Sequence, residues 1–317
     1  MVILNEYLSL NIVKNYLAYL ILFALEGALL LSFSCAPPEP EAAVLTRLIF
    51  EHDGLEREYL YYAPTDLAED APLLVVLHGF TSNAENIMSY TGFNRLADDN
   101  DFAVVYPQGT TDSQSRAFWN VGYEFHADIE TNDLDFIAKL VSFLQAEYSL
   151  SKRNIFAAGM SNGGEMSYLL ACRYPELFAA VAPVAGTMMS NRFEECNPSR
   201  PIPMLAIVGT ADKTTNFLGD EQNADGWGAY KSIPSIIEFW TDNMKYDAIK
   251  IDTLPDVVLS DNSLVISSTY TSKDNKSEFL YYKVVNGGHD WPGAWGNEDL
   301  DASKEIWRFF ARHLKEK

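Results

Sequence analysis

The sequence is poor in positive charge. Lysine and arginine total 23 against 44 aspartates and glutamates, a formal net charge of −21 over 317 residues. A phosphate backbone needs a basic face, so this balance argues against nucleic acid as a partner. It is compatible with a neutral or polymeric substrate, although an acidic surface also serves plain solubility. Metal and nucleotide signatures are missing too. There is no HExxH, no CxxC, no P-loop and no GxGxxG, so no metal, nucleotide or other cofactor is implied. The acidic stretch HADIETNDLD lacks the EF-hand spacing and reads as helix capping rather than a calcium loop. No internal repeat is present. Cysteine is scarce, at Cys35, Cys172 and Cys196.

What is there begins with an unusual first segment. Lys14 precedes a long apolar run that ends in small residues and Cys35. Residues 1–35 read as an export signal. They resemble a bacterial lipoprotein signal, with Ser34 before a lipid-bearing Cys35; Ser32 and Leu31 depart from the usual leucine placement, and Glu26 interrupts the run. An uncleaved membrane anchor or a misplaced start codon is the alternative. Contact with a membrane is expected only through this segment. The stretch APPEPEAA, residues 36–43, reads as a Pro/Glu-rich tether, and 44–317 as one domain. With Cys35 lipidated, Cys172 and Cys196 remain as an even pair. In an oxidising compartment such a pair is expected to be a disulfide, the alternative being two separate core residues.

At 48% hydrophobic and 21% charged, the chain can bury a large core. VLTRLIFEHDGLEREYLYYAP reads as two strands around an Asp53-Gly54 turn. LLVVLHG, FAVVYPQG, NIFAAG, AAVAPVAG, PMLAIVG and, less clearly, FLYYKVVNGG are continuous apolar runs, which suit strands buried on both faces. Between them lie helical patterns. DLDFIAKLVSFLQAEY places Leu134, Ile137, Leu140, Val141 and Leu144 on one face, with Thr131 or Asn132 as cap. GEMSYLLACRYPELF, SIIEFWTDNM and LDASKEIWRFFARHL are the others. The alternation implies an α/β fold with a mostly parallel central sheet wrapped by helices.

Gly159-Met160-Ser161-Asn162-Gly163 fits G-x-S-x-G between a strand and a helix, the setting of a nucleophile elbow. A serine hydroxyl needs a base to remove its proton as it attacks. His289, in VVNGGHDWPG, and Asp212, in AIVGTADKTT, both follow strand ends, in the order Ser161, Asp212, His289. An oxyanion would take the N–H of Asn162 and that of Phe80, which follows His78-Gly79. His78 itself reads as a residue that orders this loop. Trp119 and Trp291, with Trp295 nearby, could stack on sugars or aryl groups, or equally anchor their loops into the core.

HGF, GMSNGGEMSYLLACRYPELFAAVAPVAG, GTAD and GGHDWPG together resemble the secreted esterase family that contains polyhydroxybutyrate depolymerases, feruloyl esterases and acetyl-xylan esterases. The resemblance spans most of residues 55–314. It implies an α/β-hydrolase fold, a serine esterase acting through Ser161, Asp212 and His289, and a Cys172–Cys196 pair. The loop HGFTSNAENI is poorer in Gly and Cys than is usual there, and TTNF stands where VPY is common. Feruloyl or acetyl esters on plant polysaccharide are the expected substrates, on the strength of the Trp loops. Polyhydroxybutyrate is the alternative. A peptidase on this fold would carry a large gating domain. A non-catalytic surface binder would be expected to have lost one of the three residues.

Overall fold

The computed structural model describes residues 44–243, 245–273 and 277–316. The export signal at 1–35, the tether at 36–43 and Cys35 lie outside them. β1 (Val44–His52) and β2 (Leu55–Ala63) pair antiparallel. Asp53 and Gly54 join them, both at positive φ (51° and 75°), the handedness that matches the twist of a two-residue hairpin. There follow β3 (Leu73–Leu77), β4 (Ala103–Pro107), the small ribbon β5 (Thr110–Thr111) and β6 (Ala117–Phe118), β7 (Ile155–Met160), β8 (Ala180–Val184) and β9 (Met204–Gly209). Last come β10 (Tyr246–Thr253), β11 (Leu264–Ser272) and β12 (Glu278–Val285).

Ten strands make one sheet, in the order β1-β2-β4-β3-β7-β8-β9-β12-β11-β10. The central run from β4 to β12 is parallel, and the strands outside it at each side are antiparallel. The expected apolar runs are all present as strands. β3, β4, β7, β8 and β9 are buried along their whole lengths.

Side chains on a strand alternate between faces. Leu73, Val75 and Leu77 join one core layer with Phe136, Ile137, Leu140, Val141 and Leu144 of the helix Asp133–Glu147. Leu74 and Val76 join the opposite layer with Ile306, Phe309 and Phe310 of the helix Ala302–Arg312. Each fully buried aliphatic side chain contributes about 1.5–3 kcal/mol. Asn132 caps the helix Asp133–Glu147 by accepting the Asp135 N–H at 3.2 Å. Asp133 is buried and binds Arg57 on β2 at 2.7 Å, so it ties this helix to the sheet. No helix among the described residues is long and apolar enough to cross a membrane.

Candidate active site

Ser161 is the single residue between β7 and the helix Asn162–Arg173. It sits at φ 57°, ψ −118°, a backbone conformation that costs a non-glycine residue about 1–3 kcal/mol. Two backbone bonds hold it there. Its N–H donates to Val184 O and its carbonyl accepts the Glu165 N–H, each at 2.8 Å. The flanking glycines are required by close packing. A Cβ on Gly159 would land on the Gly163 carbonyl, and one on Gly163 would land on the Leu77 carbonyl. Strand, turn and helix are thus in backbone contact, which lifts Ser161 to the end of the sheet.

Asp212 and His289 meet at the same end. The loops after β9 and β12 are tied by Thr210 N–H to Val284 O and Ala211 N–H to Gly287 O, both 2.9 Å. Asp212 is buried, and its Oδ1 accepts the N–H groups of Thr214 and Thr215 at 2.8 Å. Its Oδ2 lies 2.7 Å from Nδ1 of His289. With Asp212 ionised, Nδ1 carries the proton and donates it, and Nε2 is left as a base. The His289 side chain keeps 23% of its surface exposed, so the ring is reachable.

The loop after β3 carries the proposed oxyanion donor. His78 is fully buried, and burial lowers its pKa to about 4, so the ring is neutral. Nε2 accepts the Gly109 N–H at 2.9 Å, so Nδ1 carries the hydrogen and donates to Gly79 O at 2.8 Å. His78 thereby orders the residue before Phe80, as its sequence setting suggests. The N–H groups of Phe80 and Asn162 have no acceptor among the described residues. The Asn162 side chain is clamped to the Trp119 backbone, Oδ1 accepting its N–H at 2.7 Å and Nδ2 donating to its carbonyl at 3.0 Å.

Trp119 and Trp291 require correction as substrate-stacking candidates. Trp119 is 0% and Trp291 1% exposed. The indole N–H of Trp119 donates to His78 O at 2.9 Å, and that of Trp291 to Ser303 Oγ at 3.0 Å. Both rings anchor loops into the core and offer no face to a ligand. Other aromatics line the cavity at Ser161. Ser161 and His289 share a cavity of about 250 Å³ with Phe80, Tyr123, Trp227 and Tyr230. Thr214 and Thr215 also line it. A neighbouring cleft of about 560 Å³, which includes Arg192, shares Tyr123 and Met189 with it. Glu165 faces the Ser161 cavity as well, and burial pushes it up to about 8. Its one signal in the sequence is a carboxylate on an otherwise apolar stretch, four residues after Ser161. Cys172, on the helix Asn162–Arg173, is joined to Cys196, their Cα atoms 5.2 Å apart. In the cluster His52, Asp53 and Asp135, His52 Nε2 and Asp135 Oδ2 pair at 2.8 Å.

The sheet order, with Ser161 on a strand–turn–helix at its centre, defines an α/β-hydrolase. An acetyl xylan esterase from Aspergillus awamori superposes with a TM-score of 0.59 at 17% identity, covering 84% of this chain and 99% of that one, which establishes the shared fold. Residues 57–197 match the esterase PHB depolymerase family model, over the stretch that holds Phe80, Ser161 and Asn162. The bifunctional acetylxylan esterase/xylanase of Neocallimastix patriciarum is 30% identical over 52% of this chain and 22% of its own length. The poly(3-hydroxyalkanoate) depolymerase C of Paucimonas lemoignei is 26% identical over 71% of this chain and 53% of its own. The chain therefore spans about a fifth and about half of these two relatives.

Proposed function

We propose that the protein is a serine esterase in which Ser161, Asp212 and His289 hydrolyse a carboxylic ester. The observation that carries this reading is the His289–Asp212 contact of 2.7 Å on the wall of the cavity that holds Ser161. His289 Nε2 takes the Ser161 proton as Oγ attacks the carbonyl carbon. Asp212 orients the imidazole and stabilises it once charged. The oxyanion of the tetrahedral intermediate takes the N–H groups of Phe80 and Asn162. His289 then protonates the departing alcohol, and a water activated by the same nitrogen releases the acid from Ser161.

The substrate reading is an acetyl or feruloyl ester on polysaccharide. Similarity to an acetylxylan esterase supports it, now without the two buried indoles. The acyl group would occupy the small aromatic cavity, and the polymer the neighbouring cleft. A polyhydroxyalkanoate is the second reading, favoured by the family match and by the depolymerase relative. Export, with a disulfide at Cys172–Cys196, completes the proposal. A fluorophosphonate probe tests the reading: it labels the protein at Ser161 and abolishes p-nitrophenyl acetate hydrolysis. Folded protein that neither labels nor turns over any ester refutes it and favours a surface binder.

A further inference from the structure

One carboxyl group at this site has no part in the chemistry just described. Glu165 stands one helical turn beyond Ser161 and lines the same cavity. It is 5% exposed, and the residues that follow it, Met166, Leu169 and Leu170, are apolar core. The polar groups that bear on its carboxyl are the Tyr123 phenol, the Asn162 amide and the Thr187 N–H, none of them a cation. Its Oε2 is buried and has no partner. A leucine or methionine would fill this position without an unpaired polar atom, so packing gives no reason for a glutamate here.

We propose that Glu165 is a specificity-determining residue: its carboxyl group, with Oε2 unpaired where it is buried, turns into the cavity to hydrogen-bond a hydroxyl of the bound ester, so that hydroxylated esters are chosen over alkyl esters of the same shape. The inference rests on the esterase reading and names the substrate class it serves. Burial keeps Glu165 protonated at neutral pH. Oε2 has no partner among the described residues, so an acidic O–H there is left without an acceptor. A hydroxyl oxygen in the cavity supplies it. A methyl group in the same place leaves the buried O–H unpaired, and discrimination follows from that loss. The cavity is lined by Phe80, Tyr123 and Trp227, so the rest of the bound group would be apolar or aromatic.

The test uses isosteric pairs of p-nitrophenyl esters in which a hydroxyl replaces a methyl: lactate with isobutyrate, 3-hydroxybutyrate with isovalerate, and 3-(4-hydroxyphenyl)propanoate with its 4-methyl analogue. The wild type should prefer the hydroxyl member of at least one pair by about tenfold or more in kcat/KM. Glu165→Gln, which keeps a donor and an acceptor, should retain most of that preference. Glu165→Met should bring the ratio to within about twofold of unity. A second measurement needs no change at Glu165. In Ser161→Ala protein, the infrared carbonyl band of the protonated carboxyl group should shift on adding the preferred hydroxyl ester and stay fixed with its methyl partner. Wild-type ratios near unity for every pair, a tenfold preference that persists in Glu165→Met protein shown by a separate aliquot to react with the probe, or an unmoved carbonyl band would each overturn the proposal. Failure of the wild type to hydrolyse p-nitrophenyl acetate would instead sink the esterase reading, and the infrared comparison would still decide whether Glu165 binds the hydroxyl.

Discussion

Replacing Ser161 with alanine removes the atom that forms the covalent bond in the proposed mechanism. The expected loss in kcat is on the order of 10⁶, with the melting temperature little changed, because alanine carries the same strained φ and ψ. A stopped assay on p-nitrophenyl acetate and a thermal melt check both parts. Asp212→Asn tests a different point. Oδ1 of Asp212 accepts two backbone N–H groups and Oδ2 faces His289. The amide can satisfy only one of these sides with an oxygen. If oxygen stays with the threonine loop, an NH₂ group faces Nδ1 and forces the wrong imidazole tautomer. A fall in kcat of roughly 10⁴ at neutral pH is expected. These residues could be proposed from the sequence because chemistry restricts their types and chain order. Glu165 was not, since nothing in a helical pattern says which wall of a cavity a side chain will face. Trp119 and Trp291 misled for the same reason: an indole in a loop is as ready to anchor the loop as to meet a ligand.

At the scale of the elements, the elbow depends on backbone touching backbone. Gly163→Ala places a methyl group against the Leu77 carbonyl, so β3, β7 and the nucleophile helix must separate. Activity should fall by more than a hundredfold while the rest of the sheet persists, which circular dichroism beside a probe-labelling assay would separate. The Cys172–Cys196 link acts on the far end of that helix. Changing both to serine should lower stability by roughly 3 kcal/mol in the chain-entropy model, measured by urea unfolding. Non-reducing peptide mapping that finds both thiols free would remove the link itself. Legibility also divided by element. β3, β4, β7, β8 and β9 announce themselves because burial on both faces demands an unbroken apolar run. β10 and β11 do not, since β10 is exposed along almost its whole length and β11 is rich in Ser and Thr. The short helices Ala84–Thr91 and Phe93–Asn100 meet at Gly92, and neither is long enough to show a clear period.

Two buried groups make opposing contributions to the pH dependence of stability. Burial lowers His78 to about 4, below its ordinary 6.5. Between those values the unfolded chain binds more protons, so this group makes stability fall as pH drops from 6.5 towards 4. Burial raises Glu165 from 4.5 to about 8. There the folded chain binds more protons, so its contribution is complete below 4.5 and is lost as pH rises through 8. The two slopes oppose one another between 4.5 and 6.5, and Glu165 acts alone above. Glu165→Gln should therefore remove a decline of about 1.4 kcal/mol per pH unit between pH 6.5 and 8. Denaturant titrations of both proteins at pH 6.5, 7.25 and 8 would show it, and parallel stability curves would contradict it.

The sheet ends, among the described residues, in β1 on one side and β10 on the other. Each outer edge presents a row of backbone donors and acceptors beside exposed Ile49 or Ile249 and Ile251. At high concentration such borders could recruit a second molecule strand to strand, and fibrils or precipitate would follow. Arg47 and Glu51 on one border, and Asp247, Lys250 and Asp252 on the other, interrupt any such zipper with desolvation costs. Colloidal behaviour therefore hangs on a few charges that catalysis never uses. Neutralising Lys250 and Asp252 together should leave turnover intact and lower the concentration at which light scattering first rises.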